Sequence, residues 1–477
     1  MKNEEMITAP ERPRWLRAPR SRRARAGVAA GVTGSLVLGG VLVFTSGDGA
    51  DQVPPASGPV GRAVGAVGAG APVALADLTA LTGDYARYLR GRPDDARSWA
   101  VLGAGYVEQG RLTGRPLYYP KAQKALTTSL KVLPERNAQA YDGMAALALA
   151  RRDYPAARRW AARAVRESPR RWVSYPALIE AYEGLGDHKA VVRTLDRLLA
   201  LHTGTPVPAT ASQVYRDRGR REDAEAAVAD AAAGASTAPV EAALSARLGQ
   251  LMWERGEPGD ALRYYEAALR AGPDRQEARA GKARALASLD RTAEAVRAYR
   301  AALEHRPEPE YALELGELYE SLGRRAEAGA QYGTLRRLVH EAAGAGVNEA
   351  LVLGLFEADH GDPEKAVRRL RAEWERQPGV AVADALGWAL HRAGRDEEAR
   401  EFAVRATDKE KGGGVRSALY AFHRGEIERA LGREGAARRH LAEALRINPR
   451  FSPLLAPRAE ESLKALGELS SEPPPED

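Results

Sequence analysis

From Leu78 onward apolar residues recur with helical spacing, and the pattern is broken at regular intervals by glycine and proline. Pro273 and Pro307 stand 34 residues apart, and Pro134 and Pro169 stand 35 apart. Each closes a stretch rich in alanine and leucine, as in KALTTSLKVLP, RRWAARAVRESP, RYYEAALRAGP, RAYRAALEHRP and RRHLAEALRINP. Proline stops a helix there because it has no N–H and its ring clashes with the preceding turn. A glycine divides most intervals in two. The pattern therefore predicts an all-α chain of helical hairpins, each of about 34 residues.

Residues 240–273 show the grammar of one unit. Leu248-Gly249 falls midway along the first helix, where a residue as small as glycine lets the second helix approach. Gly256 suits the left-handed conformation that ends a helix. Ala261 and Ala268 permit close packing on both neighbours, with Tyr265 and Leu269 filling the space between. Related positions recur at Trp99, Leu102, Gly103 and Tyr106, then at Tyr141, Met144 and Ala145. They return at Leu315, Gly316 and Tyr319, at Leu353-Gly354, at Leu386-Gly387 and at Gly425, Leu441 and Pro449.

Repeated about ten times between roughly residues 95 and 450, these residues resemble the tetratricopeptide repeat (TPR) family. The resemblance implies a right-handed helical-hairpin solenoid whose first helices line a concave face that binds polypeptides. The solenoid is expected over 76–469, with a lone leading helix at 77–93 and a closing helix at 457–469 that covers the last apolar face. Two stretches depart from the pattern. Residues 111–120 (RLTGRPLYYP) predict a longer loop within the first unit. Residues 203–239 are degenerate, with two prolines and a nearly all-alanine helix, and predict a hinge or irregular join. Residues 470–477 (SEPPPED with its preceding serine) read as an acidic disordered tail.

Residues 27–45 (GVAAGVTGSLVLGGVLVFT) carry no charge over 19 positions, the length a membrane-spanning helix needs. Eight basic side chains precede it within residues 1–26, while Asp48 and Asp51 follow it. The positive-inside rule then places 1–26 in the cytoplasm and the repeats outside. The alternative is a cleaved signal peptide and secretion. Residues 46–75, rich in Gly, Pro, Ala and Ser, predict a flexible linker.

Composition narrows the chemistry. There is no cysteine, so disulfides, thiolate metal sites and a cysteine nucleophile are excluded. Heavy Ala, Arg and Gly use with little Lys fits a high-GC bacterial genome, in an actinobacterial manner. Net charge is +7, of which +5 lies in residues 1–26. The nearly neutral remainder argues against nucleic acid as a partner. None of the eight histidines pairs as H-x-x-x-H, and neither a phosphate-binding loop nor G-x-S-x-G is present. The expectation is a protein that is not an enzyme and takes no metal and no cofactor.

Recognition remains. On the geometry that the resemblance implies, the concave stripe of the later units carries Gln250, Trp253, Arg284, Glu317, Glu320, Leu355, Trp388, His391, Phe422 and Glu426. Its middle is acidic, and Trp253, Leu355, Trp388 and Phe422 would anchor an extended or helical peptide. A register shifted by one residue would instead make Trp388 and Phe422 core. The functional expectation is a membrane-tethered protein–protein interaction scaffold. Its rivals are a cell-envelope assembly factor and a self-associating structural protein.

Overall fold

In the computed structural model the described residues, 58–409 and 413–467, form twenty-three α-helices and no strand. The predicted tail 1–26, the span 27–45 and the C-terminal tail 470–477 lie outside the described residues. Among the described residues no helix is long and apolar enough to cross a membrane.

Two helices lead, α1 (Gly58–Gly68) and α2 (Leu75–Gly91). Ten hairpins follow: α3 (Ala96–Thr113) with α4 (Tyr118–Val132), α5 (Ala138–Ala150) with α6 (Tyr154–Glu167), α7 (Tyr175–Gly184) with α8 (His188–Leu201), and α9 (Pro206–Asp217) with α10 (Arg221–Ala233). Next come α11 (Ala238–Glu254) with α12 (Pro258–Ala271), α13 (Gln276–Ser288) with α14 (Thr292–His305), and α15 (Pro309–Ser321) with α16 (Arg325–Gly344). The last three are α17 (Ala350–His360) with α18 (Pro363–Arg376), α19 (Val380–Arg392) with α20 (Asp396–Thr407), and α21 (Ala418–Ala430) with α22 (Glu434–Ile447). Helix α23 (Leu455–Ala465) packs on α22 as a further first helix would.

Local chemistry sets the ends. Asp95, Asn137, Asp153 and Asp187 each accept a hydrogen bond from the backbone N–H three residues on, which is worth about 1 kcal/mol per helix. Gly256, at φ 80°, turns the chain between α11 and α12. The hairpins close on small residues. A Cβ added at Gly249 would lie 2.9 Å from the ring of Tyr265, and one at Gly281 would lie 2.2 Å from it. Tyr265 of α12 is thus seated between glycines of α11 and α13.

Three stretches differ from expectation. Helix α1 begins inside the stretch 46–75 expected to be a linker, because Ala63 is buried and Val60, Val64 and Val67 pack on the core of α2 and α3. The insertion at 111–120 is absorbed mostly as helix, and only residues 114–117 separate α3 from α4. The degenerate stretch 203–239 contains a regular hairpin. Pro206 and Pro208 sit in the first turn of α9, where a missing N–H costs nothing, and Ala224, Ala227, Val228 and Ala231 of α10 are buried.

The solenoid comes back onto itself. The backbone N–H of Asn348 donates to the carbonyl of Arg151 at 3.0 Å. Gln377 accepts from the N–H of Tyr154 at 3.2 Å and donates to the carbonyl of Arg152 at 3.1 Å. Arg221 donates to the carbonyl of Arg416 at 2.8 Å, and Asn448 to that of Trp253 at 2.8 Å. Arg152 pairs with both Glu310 and Glu349. Most of these contacts join residues 195 to 225 positions apart. They join the inter-helix turns of the early hairpins to the loops that follow the second helices of the late ones. The hairpins therefore wind into two stacked superhelical turns with a polar seam between them.

Candidate functional site

Successive first helices lie side by side, so long side chains on their inner faces reach the neighbouring helix. A polar ladder results. Arg216 on α9 binds both carboxylate oxygens of Glu254 on α11 at 2.5 and 2.7 Å. Gln250 donates to Glu254 at 2.6 Å, and its carbonyl accepts from Tyr265 and from Arg284 on α13, each at 3.2 Å. Arg284 also binds Glu314 on α15 at 2.9 Å. His360 on α17 lies between Glu317 and Glu320 of α15, at 3.5 and 3.3 Å. Trp388 on α19 donates its indole N–H to Asp359 at 3.0 Å. Asp384 on α19 holds His423 on α21 at 2.9 Å, and Glu426 on α21 meets Arg458 on α23 at 3.4 Å.

The charges on this face are crowded. Burial pushes the Glu183 carboxyl well above the usual range, and the nearby charges of Asp217 and Glu180 push it further. The protein walls around the interior partly desolvate Glu180, whose side chain stays exposed to that interior, and raise its pKa against the pull of Arg111 and Arg247. For Glu254 burial acts upward, but the charge and hydrogen bonds of Arg216 outweigh it and the pKa is lowered. Burial disfavours a charged His360 ring. The hydrogen bond to Glu317 and the charges of Glu317, Glu320 and Asp359 overcome that, and the pKa rises above its ordinary value. Arg111 on α3 lies within electrostatic reach of Glu180 on α7 and Glu277 on α13, so the inner faces look onto a common interior. Where the two turns meet near α3 and α16, a cavity of about 1010 Å³ is lined by residues that include Arg111, Leu117, Arg152, Glu180, Arg306 and Glu349.

The structure brings Gln250, Arg284, Glu317 and Glu320 together on this inner face. Trp253 is half-buried beside them, with its indole N–H on the Ser288 hydroxyl at 3.2 Å and the Arg284 guanidinium 5.8 Å from its ring. Leu355 is partly buried against the C-terminal core, and His391 hydrogen-bonds Asp396. Trp388, Phe422 and Glu426 are 0% exposed, so they are core and not the open groove surface expected of them. The cause is the end of the chain. Phe451 packs on Phe422 with ring centroids 5.7 Å apart, Arg458 of α23 lies 6.0 Å from the Trp388 ring, and His423 stacks on Trp388 at 4.2 Å. Of the proposed apolar anchors, Trp388 and Phe422 thus hold the last hairpins together. Sequence reasoning did not single out Arg216, Glu254, Glu314 or His360 as site residues. Glu254 and Glu314 stand four and three residues from Gln250 and Glu317 on the same helical faces, whereas Arg216 and His360 carried no such spacing.

Two tetratricopeptide repeat family models match, over residues 210–276 and 252–313. No curated protein matches the chain. Among solved structures, a tetratricopeptide repeat protein from Parabacteroides merdae is 19% identical with a TM-score of 0.33, over 55% of this chain and 99% of that one. Human IFIT1, solved as a dimer with PPP-AAAA, is 13% identical with a TM-score of 0.43, over 83% of this chain and 95% of that one. Together the two matches make residues 210–313 of this chain similar to tetratricopeptide repeats.

Proposed function

We propose that the chain is a membrane-tethered scaffold that holds a polypeptide partner against the inner faces of its first helices. The repeats suggest protein–protein interaction. The observation that carries the site is the ladder itself, which offers hydrogen-bonding groups from five consecutive first helices, α9 to α17, to one interior. Such a wall suits an extended segment whose backbone and polar side chains replace rungs of the ladder. The reading is non-catalytic, because the acids and histidines of this face are engaged with one another. The tether rests on the uncharged segment 27–45 and the basic residues before it, and it places the repeats outside the cytoplasm.

In-cell photo-crosslinking tests the site. A probe at position 180, exposed on the inner face, is compared with one at 333, exposed on the outer helix α16. A distinct protein captured at 180 and not at 333 supports the scaffold. Equal capture at both positions refutes the inner face as the site. For the tether, a C-terminal reporter active only in the cytoplasm should stay silent, and an active one would overturn the topology.

A further inference from the structure

The near-neutral charge of the repeats conceals a segregation. Residues 115–201 hold 16 basic and 8 acidic side chains, whereas residues 202–477 hold 41 basic and 46 acidic. The excess sits on three helices. The sequences of α4, α6 and α8 contain ten basic and two acidic residues. Lys124 and Lys131 on α4, Arg158 and Arg166 on α6, and Arg193 and Arg197 on α8 are all exposed. Among the described residues the one ion pair within these helices joins Arg163 to Glu167.

These helices are the second members of three successive hairpins, so they share the outer face. Contacts tie their ends together. Arg163 of α6 reaches the carbonyl of Pro134 just beyond α4 at 3.5 Å. Trp172, just beyond α6, stacks on His202 at the end of α8 with ring centroids 4.2 Å apart. A second observation coincides with the first. Four large apolar residues are exposed among the described residues, and two of them adjoin at the C-terminal end of α4, Val132 at 39% and Leu133 at 45%, whereas Leu117 lines the cavity at the seam.

A soluble polyanion rewards the basic side chains by counterion release but gives the exposed Val132 and Leu133 nothing. An anionic lipid surface rewards both, since Lys and Arg meet phosphate headgroups while apolar side chains enter the boundary below them. We propose that the outer face of α4, α6 and α8 rests on an anionic lipid surface, with Val132 and Leu133 in the headgroup layer. This face would turn the first superhelical turn toward the bilayer and leave the second turn free. The proposal does not require the span at 27–45.

The chain has no cysteine, so one introduced thiol can carry an environment-sensitive fluorophore at a single site. The full chain labelled at Leu133→Cys is mixed with vesicles of phosphatidylcholine alone or with phosphatidylglycerol added. Leu322→Cys, at the fourth exposed apolar position, is the reference. The expected result is a blue shift at 133, absent at 322, that needs phosphatidylglycerol. The triple variant R158E/R166E/R193E, with unchanged circular dichroism, should weaken that response about tenfold or more. Equal responses in both lipids or at both labels overturn the proposal. So does a response at 133 to a DNA duplex but not to vesicles, which would assign the face to nucleic acid. Sedimentation with phosphatidylcholine vesicles reads the span separately, so failure of the tether leaves this test intact.

Discussion

The seam between superhelical turns makes a quantitative demand on two residues 197 positions apart. Glu349 is buried, with its side chain 4% exposed, and its cation is Arg152, 30% exposed and also bound to Glu310 at 2.6 Å. Arg152→Met keeps the aliphatic stem and removes the charge. Breaking a fully buried pair costs about 3–5 kcal/mol because a carboxylate is left uncompensated. The partial exposure of Arg152 reduces the expected cost to about 2–3 kcal/mol. Glu349→Gln removes the buried charge but leaves Arg152 its second carboxylate, so about 1 kcal/mol is expected. Urea unfolding of both single variants and the double variant, followed by circular dichroism and tryptophan fluorescence, gives the coupling energy. It should be about 1–2 kcal/mol, whereas independent sites add to within about 0.3–0.5 kcal/mol. Single variants that destabilise while coupling stays inside that margin would refute stacked turns. A solenoid with neighbour contacts alone predicts that null result.

Gly281→Ala should cost about 3 kcal/mol, at the upper end for overpacking, because its Cβ would lie 2.2 Å from the rigid Tyr265 ring. Gly259→Ala, with nothing within 4 Å, should be neutral or stabilise by up to about 1 kcal/mol. The two midpoints in urea compare them directly. Trp388→Ala should cost about 3–5 kcal/mol, as for an aromatic lost from a core. A photo-probe at 388 should capture no partner, and a partner adduct there would reopen it as groove surface. His360 titrates with a raised pKa in the folded chain, so its stabilisation is fully present below about pH 6.5 and is lost as pH rises through the folded value. The difference in Tm between the wild type and His360→Gln should therefore shrink from about pH 6 to pH 9, and a difference that grows would reverse the sign of the argument.

Local spacing carried most of the fold. Proline at the ends of second helices, glycine at mid-first-helix and paired alanines each report contacts within one hairpin or with the next, so the hairpin order could be read from them. The degenerate stretch 203–239 misled because its prolines were read as breaks, although proline at a helix start is compatible with helix. The seam left no such mark. Gln377 and Asn448 are ordinary polar residues in the sequence, and their partners are backbone groups some 200 positions earlier. Gln250, Arg284, Glu317 and Glu320, chosen for the stripe, lie together in the polar ladder. For Trp388 and Phe422 the groove and core readings stood side by side, and the core holds because Phe451 and α23 fold over the last hairpins, which no periodicity reports. The outer basic face escaped because charges summed over the chain cancel between α4–α8 and the later helices.

Stacked turns also set a schedule for the nascent chain. At a synthesis rate of about 5–20 residues per second, the partner of an early seam group emerges roughly 10–40 s after it. Until then Tyr154 N–H and the carbonyl of Arg152 wait in water, and the first turn must persist on its hairpin contacts alone. Contacts of such sequence separation raise the relative contact order above that of an open array, whose helices meet near neighbours only. Closure of the seam is therefore expected as a late, slow phase in refolding, distinct from the fast formation of hairpins.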